Sequence, residues 1–209
     1  MKPVVITGTD TDIGKTVFAA GLTHALQAVY WKPVQAGLDG ETDSQTVARL
    51  SGMTTLPEAY RLNMPASPHL AAEAEGLEID TARLALPQVS VPLVVEAAGG
   101  LMVPLNRRTL FLDVMATWQA PVILCARTAL GTINHSLLSL AALRHAGASV
   151  LGIAFIGDTN PAVERTICDF GAVAHLGCLP RLAPLTPETL ASAFATHIDL
   201  ATIRKGLLL

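Results

Sequence analysis

The residues best suited to chemistry lie near the start of the chain, in the segment Gly8-Thr-Asp-Thr-Asp-Ile-Gly14-Lys15-Thr16. This segment follows a short β-rich run and opens an Ala-rich stretch of helical length, which is the context of a phosphate-binding loop. In such a loop, backbone N–H groups and the positive end of the helix dipole bind phosphate oxygens. Lys15 is expected to reach the β- and γ-phosphates, and the Thr16 hydroxyl to bind magnesium. The segment therefore predicts nucleotide binding, even though its spacing is one residue longer than G-x-x-x-x-G-K-S/T.

A second basic residue, Lys32, comes at the end of an apparent second strand and directly before Pro33. Open α/β sheets present their reactive side chains beyond the carboxyl ends of the strands, so Lys32 is expected to face the phosphates. The alternative role for Lys32 is a surface ion pair, but the rigid turn at Pro33 favours a position at the active site. The residue is therefore a candidate for the active site.

Two carboxylates are candidates for a metal site. Glu96 ends an apolar strand and precedes Ala-Ala-Gly-Gly, whose small residues let the backbone approach a ligand closely. Asp43 opens a predicted helix, and the residues alone support a helix N-cap there as well as a metal ligand. Together with the Thr16 hydroxyl, these carboxylates offer hard oxygen ligands of the kind that suits magnesium.

The elements that must position these residues follow an alternating pattern. Short β-rich runs alternate with Ala- and Leu-rich stretches of helical length, which indicates a parallel α/β sheet. The predicted strands are 4–7, 93–96, 121–126 and 150–156, and the clearest helices are 15–28 and 132–145. The predicted fold class is α/β, a single domain with a mostly parallel central sheet flanked by helices, similar to P-loop NTPases.

The stretch between Ala36 and Val91 has weaker periodicity and several prolines, with short helical pieces at 42–50 and 81–86. We interpret it as an elaborated crossover that carries functional loops, because no second hydrophobic pattern marks another domain. No repeat or linker divides the chain, so residues 1–209 are predicted to form one P-loop domain. The tail, 203–209, either finishes a helix or packs on a partner.

Composition limits the remaining possibilities. The chain has 209 residues, 51% of them hydrophobic, and a formal net charge of -3, with no basic cluster that would bind nucleic acid. The first apolar run, Val4 to Ile6, is too short for a signal peptide or a membrane span, so we expect a cytoplasmic protein that does not bind membranes. Widely spaced Cys125, Cys168 and Cys178 are interpreted as small buried hydrophobes.

The phosphate loop is similar to that of dethiobiotin synthetases, which reads Gly-Thr-Asp-Thr-Glu/Asp-hydrophobic-Gly-Lys-Thr. Further segments that resemble this family follow in the same order along nearly the whole chain. They are Trp31-Lys32-Pro33-Val34, Asp43-Ser44, Ser67-Pro68-His69, Glu96-Ala-Ala-Gly99-Gly100, Leu130-Gly131-Thr-Ile-Asn134-His135 and Gly177-Cys-Leu-Pro180. The Lys-Pro-Val and Asn-His segments discriminate far better than a phosphate loop alone.

The resemblance implies ring closure on a vicinal diamine. In this family 7,8-diaminononanoate captures carbon dioxide as a carbamate, and the carbamate oxygen attacks the γ-phosphate of ATP. The neighbouring amine then closes the ureido ring and releases phosphate. ATP is thus the expected co-substrate and Mg²⁺ the expected metal cofactor. The implied catalytic residues are Lys15 and Lys32, with Lys32 between the carbamate and the γ-phosphate, where negative charge develops.

The resemblance also assigns binding residues. Those for the nucleotide are Asp12, Ile13, Gly14, Lys15, Thr16, Val17, Asp43, Glu96, Ala97, Ala98, Gly99, Gly157, Asp158 and Pro180. Those for magnesium are Thr16, Asp43 and Glu96, and those for the substrate are Thr11, Lys32, Ala36, Ser67, Pro68 and Asn134. The asparagine that matches Asn134 reaches across a dimer interface in the family, which implies a homodimer with active sites at the interface. From the residues alone, Asn134 could instead cap its own helix.

Three positions depart from the family pattern. Ala36 replaces a hydroxyl residue, so substrate binding there would depend more on the backbone. Ala97 replaces glycine and is small enough for little consequence. Ile156 stands near the place where the family commonly has an asparagine that reads the adenine edge. Our hypothesis is that the chain accepts several nucleoside triphosphates.

Two other classes of protein share the phosphate loop. A cobyrinate-amidase-like ligase normally needs a glutaminase domain, for which this chain is too short. A partitioning ATPase, acting as a nucleotide-dependent switch, carries an extra lysine early in the loop, where this chain has only the residues Thr9 to Ile13. Both classes fit the sequence less well than a synthetase.

Overall fold

The computed structural model describes residues 3–208, in which nine strands lie in two sheets. The strands are β1 Val4–Gly8, β2 Val29–Trp31, β3 Val34–Ala36, β4 Thr55–Leu56, β5 Tyr60–Leu62, β6 Leu93–Glu96, β7 Val122–Arg127, β8 Val150–Ile156 and β9 His175–Leu179. Seven of them form the main sheet in the order β4-β2-β6-β1-β7-β8-β9, and every pair is parallel. The predicted mostly parallel α/β sheet is therefore confirmed. Met1, Lys2 and Leu209, which the predicted domain 1–209 includes, lie outside the described residues.

Helices connect the strands and cover the sheet. They are α1 Lys15–Leu26, α2 Asp43–Ser51, α3 Pro68–Ala74, α4 Phe111–Trp118, α5 Thr132–His145, α6 Pro161–Gly171, α7 Pro187–His197 and α8 Leu200–Leu207, with a 3-10 helix at Thr81–Leu84. Several begin with a side-chain cap, as at Thr42, Asn160, Thr186 and Asp199. These caps accept the N–H groups that the first helical turn leaves without partners.

The two faces of the main sheet bury different hydrophobic clusters. Residues of β1 alternate between them: Val4 and Ile6 pack with Phe18 of α1 on one face, and Val5 packs with Phe111 of α4 on the other. Because both faces are covered, every residue of β1 and β6 is buried. This arrangement explains the continuous apolar runs in the sequence.

The carboxyl ends of the central strands lie together at one edge of the sheet. Residue pairing places Ile6 beside Glu96, Gly8 beside Cys125 and Arg127 beside Ile156. The loops after β1, β6, β7 and β8 therefore leave the sheet at the same edge. Binding sites in open α/β sheets lie at this edge.

Several predicted boundaries differ from the structure. The first helix ends at Leu26 and not Ala28, because Gln27 takes a left-handed conformation (φ 50°) and its N–H bonds to His24 and Thr23 carbonyls. The predicted helices 42–50 and 81–86 are α2, Asp43–Ser51, and the shorter 3-10 helix, Thr81–Leu84. The tail does finish a helix, α8, which ends at Leu207.

The crossover between β2 and β6 contains structure that the sequence pattern does not predict. Strands β3 and β5 pair in parallel as a separate two-stranded sheet, and β4 extends the main sheet beside β2. These strands are only two or three residues long, too short to show an alternating pattern. Together with α3 they bring the segment around Ser67 toward the edge of the sheet where β1 and β2 end.

Candidate active site

The phosphate loop joins β1 to α1 and depends on an unusual backbone. Gly14 precedes the helix in a left-handed conformation (φ 95°), and a Cβ atom at this position would lie 2.9 Å from Ile156 Cγ2. Asp12 is also left-handed, with φ 54°. Only glycine adopts the conformation of Gly14 readily, and no other residue fits beneath Ile156 without a shift. The loop is thus held by both its own geometry and the end of β8.

Lys15 is a buried member of this loop. Its ammonium donates to the backbone oxygen of Asp10 at 2.7 Å, so the side chain is folded along the loop. Burial lowers the pKa of Lys15 below its ordinary value, while the charge of Glu96 opposes this shift. An ammonium in such surroundings gains from an anionic partner, and phosphate oxygens are partners of that kind.

Four residues from separate parts of the chain meet beside the loop. The Thr16 hydroxyl lies 3.0 Å from Asp43 Oδ1 and 2.9 Å from Glu96 Oε1. Lys32 places its ammonium 2.6 Å from Asp43 Oδ2 and 3.2 Å from Glu96 Oε1. We call Thr16, Lys32, Asp43 and Glu96 the carboxylate cluster. Lys32 follows β2 directly, so its predicted place at the end of a strand is confirmed.

The cluster is strongly coupled electrostatically. Burial alone would lower the pKa of Lys32, but Glu96 and Asp43 outweigh it and raise that pKa. Burial would raise the pKa of Asp43, yet the charge of Lys32 and its hydrogen bond hold it below the ordinary value. Lys32 is therefore an ammonium and Asp43 a carboxylate throughout the physiological range of pH.

The start of α2 decides between the two roles considered for Asp43. The N-cap is Thr42, whose side chain accepts from the N–H of Gln45 while Gln45 accepts from the N–H of Thr42. Asp43 is thus the first helical residue, and the N-cap interpretation is wrong for it. Because Thr42 caps the helix, the Asp43 carboxylate faces Thr16 and Lys32.

The donor atoms of the cluster fit magnesium. Asp43 and Glu96 supply carboxylate oxygens and Thr16 a hydroxyl oxygen, all hard ligands of the kind that Mg²⁺ takes beside phosphate oxygens. Within residues 3–208 no site gathers three or more His, Cys, Asp or Glu side chains. The two carboxylates and one hydroxyl of the cluster would leave coordination positions of such an ion for other oxygen ligands.

Two side chains that contact the carboxylate cluster are not among the residues predicted from the sequence. Tyr30, which is fully buried, donates its hydroxyl to Glu96 Oε2 at 2.8 Å. Burial and the charge of Glu96 raise the pKa of Tyr30 well above its ordinary value, so the phenol keeps its proton. Gln35 accepts the backbone N–H of Asp43 at 3.2 Å. Neither residue lies in a motif, and only the alternation within a strand could have suggested them.

A cleft of about 520 Å³ opens on the cluster. Its walls include most of the predicted substrate-binding residues, namely Thr11, Lys32, Ala36, Ser67 and Pro68, with Asp12, Asp43, Ala98 and Gly99 from the nucleotide set. Gly99 is left-handed (φ 61°), and a Cβ there would lie 2.8 Å from Val103 Cγ2. We call this space the substrate cleft. It brings together residues that are far apart in the sequence.

A second cleft, of about 400 Å³, lies on the other side of the loop. It is lined by Asp12, Ile13, Gly14, Val17 and Pro180 of the predicted nucleotide set, and by Arg127, Ile156, Leu179, Arg181, Leu182 and Leu185. We call it the base cleft. Gly157 and Asp158 follow Ile156 at the end of β8, outside this lining, while Glu96 and Ala97 are buried behind the loop.

Asn134 is not brought to either cleft by its own chain. It is exposed in the first turn of α5, and the N-cap of that helix is Gly131, so the interpretation of Asn134 as a cap is wrong. Leu130 just before the helix and Leu138 within it are also exposed, the former completely. This side of α5 is therefore apolar around one amide.

The cysteines follow the prediction in part. Cys125 and Cys178 are buried, as expected of small hydrophobic residues, but Cys168 on α6 is only partly buried. His69, at the start of α3, lies beside a separate groove and not in the substrate cleft.

Sequence comparison identifies the family. A family model described as an AAA domain matches residues 2–189. The ATP-dependent dethiobiotin synthetase BioD of Agrobacterium fabrum (strain C58 / ATCC 33970) is 64% identical over 200 residues, which cover 94% of each chain. The protein of the same name from Rhodopseudomonas palustris (strain HaA2) is 60% identical over 201 residues, 95% of this chain and 94% of that one. The chain belongs to the ATP-dependent dethiobiotin synthetase family.

Membership of this family confirms the resemblance drawn from the motifs and makes the chain an enzyme, an ATP-dependent ligase. Solved structures show the fold more broadly. A ParA family ATPase from Chlorobium tepidum TLS has a TM-score of 0.58 at 10% identity and covers 99% of this chain and 97% of its own. The cell division ATPase MinD of Pyrococcus furiosus has a TM-score of 0.57 at 14% identity, with 99% and 98% covered. These distant structures confirm the P-loop fold.

Among residues 3–208, no helix is both long enough and apolar enough to cross a bilayer.

Proposed function

We propose that this chain converts 7,8-diaminononanoate, carbon dioxide and ATP to dethiobiotin, ADP and phosphate in biotin biosynthesis, with Mg²⁺ as cofactor. The observation that carries the proposal is the carboxylate cluster, which lies between the phosphate loop and the substrate cleft. Family membership agrees with it. The reaction is proposed to run in the cytoplasm, without nucleic acid or membrane partners.

The proposed nucleotide site extends from the base cleft over the phosphate loop. Backbone N–H groups at the start of α1 and the Lys15 ammonium would bind the β- and γ-phosphates. Thr16, Asp43 and Glu96 would hold magnesium, which when bound neutralises charge on the phosphate oxygens. The nucleotide set from the family comprises Asp12 to Val17, Asp43, the segment 96–99, Gly157, Asp158 and Pro180.

The proposed substrate site is the substrate cleft. The diamine would lie along Thr11, Ala36, Ser67 and Pro68, with its nitrogens near Lys32. Since position 36 offers only a methyl group, the polar contacts of the substrate there would come from the backbone. Gln35 fixes that backbone, because its Nε2 donates to the carbonyl oxygens of Ala36 and Gly37.

The proposed chemistry uses charge and position, not a protein nucleophile. One amine of the substrate adds to carbon dioxide, and an oxygen of the resulting carbamate attacks the γ-phosphorus of ATP with ADP as leaving group. The second amine then attacks the activated carbonyl carbon, and phosphate leaves as the five-membered ring closes. Lys32 would stabilise negative charge on the carbamate and on the transferring phosphoryl group.

The site is proposed to be completed by a second copy of the chain. Asn134 lies outside both clefts of its own chain, on a face of α5 that exposes Leu130 and Leu138. An apolar face around one amide suits a two-fold interface, in which the same surface of each copy meets the other. Asn134 would then reach the substrate carboxylate of the partner.

The experiment that tests the function measures phosphate release from ATP and Mg²⁺, with and without 7,8-diaminononanoate and bicarbonate. We expect release that depends on the diamine, and an organic product heavier than the diamine by one carbonyl unit in mass analysis. A Lys15→Ala variant should lose both, while Lys205→Ala, changed at an exposed lysine of α8, should retain them. Phosphate release at the same rate with and without the diamine would contradict the proposal.

A further inference from the structure

The Tyr30 hydroxyl reaches the carboxylate cluster from the core. It donates to Glu96 Oε2 at 2.8 Å, which is the one hydrogen bond that this hydroxyl forms within residues 3–208. Tyr30 is 0% exposed and Glu96 is 1% exposed, so water does not replace this contact. The rest of the Tyr30 ring packs in the hydrophobic cluster on the α1 face of the sheet. A buried hydroxyl group among apolar side chains requires a hydrogen-bond partner, which for Tyr30 is Glu96.

Strand register explains how the two side chains meet. Tyr30 of β2 pairs with Val94 of the neighbouring parallel strand β6. Side chains two residues apart along a strand point to the same face, so Glu96 lies one step beyond Val94 on the face that Tyr30 occupies. A long aromatic side chain spans this diagonal. The contact therefore joins two rigid elements in the centre of the sheet.

The two oxygens of Glu96 have different neighbours. Oε1 lies 2.9 Å from Thr16 Oγ1 and 3.2 Å from Lys32 Nζ, whereas Oε2 accepts from Tyr30. The last torsion of a glutamate side chain is soft, so the backbone alone does not fix the plane of the carboxylate. A donor on Oε2 does fix it, and it directs Oε1 toward Thr16 and Lys32.

We propose that Tyr30 is a positioning residue that holds the Glu96 carboxylate in the orientation required to bind the cation. This inference rests on the proposed magnesium site of Thr16, Asp43 and Glu96. Removal of a residue that hydrogen-bonds to a metal ligand and orients it usually lowers metal affinity or activity by about 10- to 100-fold. Tyr30 is buried and lines neither cleft, so its neutral phenol acts through Glu96.

Tyr30→Phe tests the proposal because it removes one oxygen and keeps the ring. The matched control is Tyr60→Phe, at the other tyrosine of the chain, whose hydroxyl accepts the N–H of Asp80 at 2.9 Å outside the cluster. We expect Tyr30→Phe to raise the Mg²⁺ concentration for half-maximal activity about 10-fold, with kcat at saturating Mg²⁺ within about twofold of the unchanged enzyme. Tyr60→Phe should leave the Mg²⁺ requirement unchanged.

A second measurement avoids turnover. In the presence of ADP, Mg²⁺ raises the Tm of a protein that binds the pair, and the midpoint of this rise reports metal affinity. We expect the midpoint for Tyr30→Phe to move to about 10-fold higher Mg²⁺, in step with the activity. A lower Tm at every Mg²⁺ concentration, with an unchanged midpoint, would reduce Tyr30 to a packing residue and overturn the proposal.

Glu96→Gln separates this inference from the metal site on which it rests. If Glu96→Gln leaves the Mg²⁺ midpoint unchanged, the proposed metal site is wrong. If Glu96→Gln raises the midpoint but Tyr30→Phe behaves like Tyr60→Phe, only the role of Tyr30 is wrong. The double variant should match Glu96→Gln alone, because Tyr30 acts through that carboxylate. A further 10-fold loss in the double variant would contradict this.

Discussion

The ammonium of Lys32 lies 2.6 Å from Asp43 Oδ2, and the pair is more than half buried, with side-chain exposures of 5% and 32%. The same ammonium lies 3.2 Å from Glu96 Oε1. Lys32 thus compensates part of the negative charge of the two carboxylates that are also the candidate ligands of magnesium. The residue has two separable roles, one in stability and one in turnover.

The first prediction concerns Lys32→Ala. Its removal leaves the buried Glu96 and the partly exposed Asp43 without their ammonium partner. The free energy of unfolding should fall by about 3 kcal/mol in the absence of Mg²⁺, the low end of the range for a buried ion pair. Turnover should fall by about 10²–10³, the usual effect of removing one group that stabilises transition-state charge. ADP affinity should stay within about threefold, because the loop and Lys15 remain.

Urea unfolding, steady-state kinetics and ADP titration measure these effects separately. Mg²⁺ with ADP should restore part of the lost stability, because a dication compensates the same carboxylates. The control is Lys205→Ala, which removes an exposed lysine in the last turn of α8. An unchanged kcat with diaminononanoate would remove Lys32 from the catalytic assignment.

Residues in contiguous motifs were the easiest part of the site to predict. The phosphate loop contains its glycines, Lys15 and Thr16 within nine residues, and the structure places them as expected. Lys32 and Glu96 could be predicted because each ends an apolar strand, and parallel strands end at one edge. The fold class followed from the same alternation of strands and helices.

Contacts between distant segments could not be predicted in the same way. The cap of α2 is an exception, because Thr42-Asp-Ser-Gln45 fits the S/T-x-x-E/Q pattern of a capping box, which favours Thr42 over Asp43 as the cap. The Tyr30 hydroxyl meets Glu96 only because β2 and β6 are neighbours in a particular register. The short strands β3 and β5 owe their pairing to tertiary context, which overrides weak local preference.

The second prediction concerns nucleotide selectivity. Apart from Asp12, Arg127 and Arg181, the side chains of the base cleft are apolar. Ile156 packs over Gly14, near the position at which the family resemblance implies an asparagine. An apolar surface can stack on the flat face of any base, and it forms no hydrogen bonds with the polar edge that distinguishes one base from another. We expect kcat/KM for ATP, GTP, CTP and UTP to differ by no more than about 10-fold, a spread that one or two methylene contacts would produce.

Ile156→Asn should increase the preference for ATP over the other nucleotides, because its amide offers a donor and an acceptor at that edge. Ile156→Val is the matched control and should leave the ratios unchanged, since it keeps an apolar side chain of similar shape. Steady-state kinetics with the four nucleotides measures both variants. A preference for ATP of 10²-fold or more in the unchanged enzyme would contradict the prediction.

The third prediction tests whether Asn134 acts across an interface. Lys32→Ala and Asn134→Ala are each expected to lose activity as pure proteins. When equal amounts are mixed under conditions that exchange subunits, a mixed dimer contains one site with both residues intact. About a quarter of all sites should then be active, because half of the dimers are mixed and half of their sites are intact.

Activity of the mixture against that of each parent is the measurement, with sedimentation analysis to establish the dimer. Leu138→Asp, which places a charge on the exposed apolar face of α5, should shift the chain toward monomer and lower activity. If the mixture is no more active than its parents although subunits exchange, Asn134 does not act on the partner's site.

The last prediction concerns alkaline pH and Cys125, on the central strand β7. Burial raises the pKa of the Cys125 thiol far above its ordinary value, although the charge of Lys15 opposes this shift. The unfolded chain releases this proton near pH 8.5, while the folded chain keeps it. Above that pH the unfolded state binds fewer protons, so the free energy of unfolding falls as pH rises, by about 1.4 kcal/mol per pH unit from this group.

Cys125→Ala removes this contribution, so the free energy of unfolding of the variant should fall less steeply between about pH 8.5 and 10. The variant is expected to be less stable at pH 7, because a buried sulfur atom is lost, and only the slopes are compared. Urea unfolding at several pH values with a reductant present measures them. Cys168→Ala, changed at a half-buried thiol with a smaller shift, should alter the slope less. Parallel curves for the unchanged chain and Cys125→Ala would show that the Cys125 thiol ionises in the folded protein as readily as in the unfolded one.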